Sequence, residues 1–357
     1  MGSLLLYIFA FICSALLANV YQNKYKGKVC ATSSQVLWSI MIMSVPIILG
    51  SMRFGIGVDY DNYTMLFEKF HYSSWAGFHS DTLSYEYGNK AIVDLGFFLS
   101  GNTRGVFALY SFITLTLFEI SILHYKDRIS VPVTTFVLLL MLYPFSLNVV
   151  RQSLSIAIVF FSIRFIEERK LKEFLVCCVL ATLIHSTAVL SFAFYFLYSD
   201  GKDNKPIKTI LRYVIIIVPL FLAFLSTYVS EVALFARYFE NYETESTDIT
   251  VSYILKLPVL LPLLIEYRNY KHDGFVKLLY MLFVMELGLL FSAASFKWGF
   301  RLSYYSYIGQ ILIIGILSSE SSRSQLYKKY FPAWFMLTFY VLYFIWGRDG
   351  IFPYTHF

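Results

Sequence analysis

The chain has 357 residues, of which 58% are hydrophobic, 19% aromatic and only 15% charged. Soluble domains carry nearer ~25% charged residues, so the composition excludes a soluble enzyme. It also removes the reason to read the net charge of +6 as a nucleic-acid surface. In a chain of this kind Lys and Arg report topology, and 35 Phe and 29 Tyr suit lipid-facing helices with rings at the interfaces.

The first apolar run covers residues 3–20. Basic residues follow it rather than precede it, which predicts an uncleaved helix and not a signal peptide. Leu6 stands where an acylation signal at Gly2 requires Ser or Thr. Further runs long enough for a bilayer lie at 35–52, 103–123, 131–147, 149–166, 209–229, 251–267, 275–294, 302–318 and 331–347. Segment 172–199 is apolar but too long for one crossing, and His185 and Ser186 interrupt its middle. The reading is an all-α polytopic membrane protein of about twelve segments, some short or re-entrant, forming a single membrane domain over 1–357. Cys13, Cys30, Cys177 and Cys178 have the spacing of neither a metal site nor a disulfide framework.

The connecting segments fall into two sets. Those around Lys24–Lys28, Lys126–Arg128, Arg164–Lys172, Lys202–Arg212, Arg268–Lys277 and Arg323–Lys329 hold most of the chain's 29 Lys and Arg residues, which predicts that they are cytoplasmic. Segments 53–94 and 230–250 are rich in Asp and Glu and are predicted to be extracytoplasmic loops. The two sets alternate only if 172–199 enters and returns through two short halves hinged at His185. Both ends of the chain then lie outside, with 348–357 as an extracytoplasmic tail.

That topology collects five polar motifs on the outward side. The first is Arg53-Phe-Gly55-Ile-Gly57-Val-Asp59-Tyr60-Asp61-Asn62-Tyr63. The second, Asn148-Val-Val-Arg151-Gln152, stands between two apolar runs with almost no loop. His185, the Lys297–Arg301 stretch and the tail from Arg348 to His356 complete the set. An ionisable group at membrane depth is costly unless it faces water or a partner. Several arginines on one face suit an anionic ligand, and the guanidinium fork matches phosphate. Glu286 sits mid-helix and is expected to form a buried ion pair, with Lys256 or an arginine. The chain has no P-loop, Rossmann glycine fingerprint, HExxH or GxSxG, so an ATP-driven pump is not expected; nor is a metal site or cofactor, since the outward acids lack ligand spacing.

Taken in order, these motifs resemble the EpsG-type family of bacterial polysaccharide repeat-unit polymerases, which is similar in role to the Wzy polymerases of O-antigen, capsule and exopolysaccharide. Arg53, Gly57, Asp59, Tyr60 and Tyr63 resemble an R-x-x-x-G-x-D-Y-x-x-Y entry. Tyr85-Glu86 resembles the acidic start of the next helix, and Asn148, Arg151 and Gln152 resemble N-x-x-R-Q. His185-Ser186 resembles a mid-helix His, and Pro353-Tyr354 a P-Y tail.

The resemblance implies a metal-independent glycosyltransferase of GT-C-like architecture, a helical bundle around an outward-facing cavity. Its substrates would be oligosaccharide repeat units on undecaprenyl pyrophosphate, at the outer face of the cytoplasmic membrane. A chain-length regulator and a flippase are the partner proteins such a role brings into view, beside membrane lipid and without nucleic acid. Arg53, Arg151 and Arg301 would meet the charge of the leaving pyrophosphate. His185 is the expected general base, with Asp59 and then Glu86 as alternatives. Gly57, Tyr60, Tyr63, Glu86, Asn148, Gln152, Arg301 and Tyr354 would contact substrate, the tyrosines by stacking on sugar rings. An O-antigen ligase shares the donor chemistry, and a lipid-linked oligosaccharide flippase shares the ligand; the order of the motifs favours the polymerase.

Overall fold

The computed structural model describes residues 2–75, 77–78, 86–199, 206–229, 249–293 and 298–356. Nearly all of the acidic 230–250 segment lies outside them, as do Tyr85 and Lys297. A helix runs through most of each of the ten apolar runs. Six helices among the described residues are long and apolar enough to span a bilayer: Gly2–Tyr25, Thr32–Met52, Thr103–His124, Val131–Asn148, Gly274–Ser292 and Gly299–Glu320. The protein is therefore a multi-pass membrane protein. The chain falls into two compact units, Met1–Val189 with Ile314–Phe357, and Leu190–Ile313.

The first unit begins with α1 (Gly2–Tyr25) and α2 (Thr32–Met52) and continues through α3 (Tyr60–Tyr72) and α4 (Tyr87–Ser100). Then come α5 (Thr103–His124), α6 (Val131–Asn148), α7 (Val150–Glu167) and α8 (Leu171–Ile184). The helix Ser324–Phe339 returns to it and packs on α6. Helix α2 packs on α5, α5 on α7, α7 on α8, and α1 on α6. Gln22 closes the turn between α5 and α6: its amide donates to the carbonyls of Lys126 and Ile129, each at 2.7 Å, and accepts from Val131 N–H at 3.1 Å. All of its polar capacity toward that turn is satisfied, as burial requires.

The described part of segment 53–94 is mostly helical. Tyr60, Tyr63, Phe67 and Phe70 recur at helical spacing and form the buried stripe of α3, while Asp61, Glu68 and Lys69 face outward. The stripe joins Val106, Phe107 and Tyr110 of α5, Val150 and Leu154 of α7, and Ile184 at the end of α8 in one apolar cluster. Of the acidic residues that marked the segment, Asp61 and Glu68 lie on the solvated face of α3, whereas Glu86 is buried at the start of α4.

Two breaks in the helices match the sequence reading. One non-helical residue, Val149 (φ −101°, ψ 63°), separates α6 from α7. Helix α8 stops at Ile184, His185 is extended (φ −152°, ψ 118°), and a 3-10 turn runs over Ser186–Ala193.

The second unit contains the short helix α9 (Phe194–Leu197), α10 (Pro206–Val229), α11 (Ile249–Tyr270), α12 (Gly274–Ser292) and the larger part of α13 (Trp298–Glu320). Asp273 caps α12 by accepting from the N–H groups of Phe275 at 2.9 Å and Val276 at 3.1 Å. The expected buried ion pair is present: Lys256 meets Glu286, donates to Gln310 Oε1 at 2.7 Å and lies 3.4 Å from the centre of the Tyr307 ring.

Candidate active site

Glu86 occupies the N-cap position of α4, but its carboxylate does not cap the helix. It turns instead toward two other elements of the first unit. Oε2 accepts from Arg151 Nη1, one residue inside α7. Oε1 lies 2.9 Å from His185 Nδ1 and accepts from Ser186 N–H at 3.1 Å. The break at Val149 places Arg151 at the start of a helix, and the break after Ile184 turns His185 off the axis of α8. Gly88 permits the close approach of α4: a Cβ there would stand 2.9 Å from Ile184 Cδ1 and 3.1 Å from Leu183 O. The side chains of Glu86, His185 and Arg151 are 7%, 12% and 22% exposed, so the cluster is largely withdrawn from solvent.

The protonation pattern follows from this geometry. Burial raises the Glu86 carboxyl, but Arg151, the His185 ring and the Ser186 N–H outweigh it and hold the group at about 2 instead of 4.5. An ionised carboxylate only accepts hydrogen bonds, so His185 Nδ1 carries the proton. In the neutral ring Nε2 is then the basic nitrogen, and it makes no hydrogen bond among the described residues. Arg151 Nε likewise has no acceptor among them. The arrangement is an imidazole oriented by a carboxylate, with a guanidinium beside it.

Because the folded value of Glu86 is below the unfolded one, its stabilisation is complete above about 4.5 and is lost as pH falls toward 2. The thermal midpoint of the purified protein should accordingly decline below about pH 4.5. Glu86→Gln should flatten that part of the profile; an equally steep decline in the variant would assign it to other carboxylates.

The other expected site residues divide. Tyr63 joins the cluster, with the Arg151 guanidinium 5.8 Å from its ring centre. Gln152 follows Arg151 and is fully buried. Asp59 does not join. It is half-buried before α3, 3.4 Å from Asn62 Nδ2, and makes no ion pair with Arg53. Arg53 is 2% exposed, donates to the Leu147 carbonyl and lies 4.7 Å from the Phe107 ring centre. Its guanidinium therefore serves a helix end and an aromatic face. Tyr60 stacks on Phe107 at 4.9 Å and 12°, which leaves that ring face no room for a sugar. Tyr354 donates its hydroxyl to Leu49 O at 2.8 Å, one of the last four carbonyls of α2. Asn148 donates to Asp349 O at 2.8 Å. Gly57 adopts φ +98°, and a Cβ there would stand 2.8 Å from Asn148 Oδ1. Arg301 belongs to the second unit.

Sequence reasoning missed Asn89 and Tyr110 next to this cluster. The Tyr110 hydroxyl donates to Asn89 Oδ1, and both residues are buried. Their signal was the polar Asn89 on the buried face of α4, beside Lys90, Val93 and Gly96, legible only once 87–100 is read as a helix.

No curated protein and no solved structure matches the chain. The profile of the EpsG family matches residues 35–356. The match extends over nearly the whole chain, from α2 to the C-terminal segment, and so includes every residue of the Glu86–Arg151–His185 cluster. The chain therefore belongs to the EpsG family, whose members are Wzy-type polysaccharide polymerases.

Proposed function

We propose that this polymerase joins oligosaccharide repeat units carried on undecaprenyl pyrophosphate, at the outer face of the bacterial cytoplasmic membrane, without a metal ion. The observation that supports this most is the Glu86 carboxylate shared between Arg151 and His185, three motif residues far apart in sequence. A hydroxyl of the incoming unit attacks the anomeric carbon of the growing chain. The bond from that carbon to the pyrophosphate oxygen breaks, and the lipid pyrophosphate leaves. The hydroxyl proton passes to His185 Nε2, and Glu86 stabilises the imidazolium that results. Arg151 stands where a fixed cation meets the charge of the leaving group. A metal is not needed for that charge in this scheme, because the guanidinium supplies it.

The test uses purified protein in lipid with the undecaprenyl-pyrophosphate-linked repeat unit and excess chelator. A ladder of products on lipid supports the proposal. A single transfer to a different acceptor would make the chain a ligase, and a requirement for divalent metal would overturn the metal-free scheme.

The proposed orientation has its own test. Accessibility tags at positions 26, 168 and 270 should report the cytoplasm, and tags at 75 and 357 the exterior. A cytoplasmic report at 75 would detach Glu86 and α3 from the outer face and defeat the proposal.

A further inference from the structure

Helix α6 ends at Asn148, and the single residue Val149 separates it from α7, which carries Arg151. Such a junction leaves carbonyls of the last turn without helical partners. Two segments remote in sequence close on it. Arg53 donates to Leu147 O. Gly57 lies so near that an added Cβ would stand 3.1 Å from Leu147 O and 2.8 Å from Asn148 Oδ1. The C-terminal segment supplies Asp349 O, which accepts from Asn148 Nδ2 at 2.8 Å.

That segment is itself tied down along its length. Gly350 O accepts from Gly57 N–H at 3.1 Å, and Thr355 O accepts from Phe54 N–H at 3.1 Å. Arg53 and His356 form an antiparallel bridge. Tyr354 N–H donates to Ser3 Oγ at 3.0 Å, and Ile351 O accepts from the Tyr7 hydroxyl at 3.2 Å. Gly347, Asp349 and Gly350 all have positive φ (64°, 63° and 58°), which turns the chain sharply between the last apolar helix and Asn148. A solvated tail has no reason to hold this geometry.

We infer that the C-terminal segment Arg348–His356, with Arg53, is a positioning element that fixes the α6–α7 junction and thereby the placement of Arg151. This rests on the proposed role of the Glu86–Arg151–His185 site. Arg53 acts through a carbonyl and an aromatic ring, and the tail acts through Asn148; neither touches the reacting atoms. A displacement of order 1 Å at a charge-stabilising group costs about 100-fold in rate.

The experiment has three arms on the full-length protein in lipid. Phe54→Cys with Thr355→Cys, in a background without the four native cysteines, should cross-link on mild oxidation and remain active. Failure to cross-link would overturn the docking, independently of any activity. Asn148→Ala, and removal of residues 349–357, should lower kcat about 100-fold and leave KM for the lipid-linked unit within about 3-fold. An unchanged kcat in both would overturn the positioning role, and Asn148→Ala keeps that arm decisive where the truncated chain fails to fold. Arg53→Lys should restore most of the turnover that Arg53→Ala loses, because one ammonium donor serves a single carbonyl and still faces Phe107. If Arg53→Lys is as inactive as Arg53→Ala, Arg53 is reading phosphate with its fork and the inference fails. Full turnover in Arg151→Ala would instead overturn the site reading and leave the cross-link result standing.

Discussion

Arg151→Ala should lower polymerisation by at least about 100-fold, the scale seen when one preorganised charge-stabilising donor is removed. The same substitution leaves the Glu86 carboxylate buried without its guanidinium. Breaking a buried pair in this way costs about 3–5 kcal/mol, and the 22% exposure of the Arg151 side chain places the cost toward the lower end. A loss of activity alone would thus confound folding with chemistry. The double variant Arg151→Ala/Glu86→Gln separates them. It removes the uncompensated charge, so its thermal midpoint should recover much of what Arg151→Ala loses, while turnover stays low. Arg151→Lys should also recover little turnover. Its ammonium can face Glu86, but it lacks the second set of donors that the planar fork offers to phosphate. Turnover restored in the double variant along with stability would remove Arg151 from the chemistry and leave it a structural partner of Glu86.

His185→Ala should lose about 100- to 10,000-fold in kcat, the range contributed by a positioned general base, with binding of the lipid pyrophosphate retained. Glu86→Gln should lose less. The amide can still hold the ring by accepting from Nδ1, but it no longer stabilises the imidazolium with a full charge. Single-turnover rates of the two variants separate the roles: Glu86→Gln should stay faster than His185→Ala, and a His185→Ala rate above that of Glu86→Gln would overturn His185 as the proton acceptor. Asp59→Asn is expected to be nearly silent in kcat, since Asp59 stands apart from the cluster and pairs with neither Arg53 nor His185. A dead Asp59→Asn beside a near-normal His185→Ala would reverse the two roles.

Much of this site was legible in the sequence because its signals are local. Arg151 interrupts an apolar run, and the helices do break beside it at Val149. His185 interrupts another, and α8 ends one residue before it. Glu86 was read as the start of a helix, and it is the N-cap of α4. Its ranking was not legible. It stood third among the candidate bases, whereas the structure makes it the residue that joins Arg151 and His185. Nothing in the spacing of Glu86, Arg151 and His185 reports contacts spanning 65 and 99 residues, since these depend on how α4, α7 and α8 pack.

Composition and hydropathy by themselves determined the class: a multi-pass membrane protein whose apolar runs become helices, because each helix satisfies its own backbone in lipid wherever its neighbours lie. The order of the motifs determined the family. The helices inside 53–94 were there to be read in the spacing of Tyr60, Tyr63, Phe67 and Phe70, but the acidic residues obscured them. Only the tertiary structure decided which polar residues are buried and what each one serves. Arg53, between an apolar run and two glycines, looks like an exposed cation; it is buried because a helix end 94 residues away has a carbonyl without a partner. The C-terminal segment looks like a tail, and it is docked because the same junction and the Phe54–Gly57 turn supply hydrogen bonds that no neighbouring residue in the sequence announces. Burial makes an unmet polar group costly, and the fold, not the local sequence, determines which groups are left to be met.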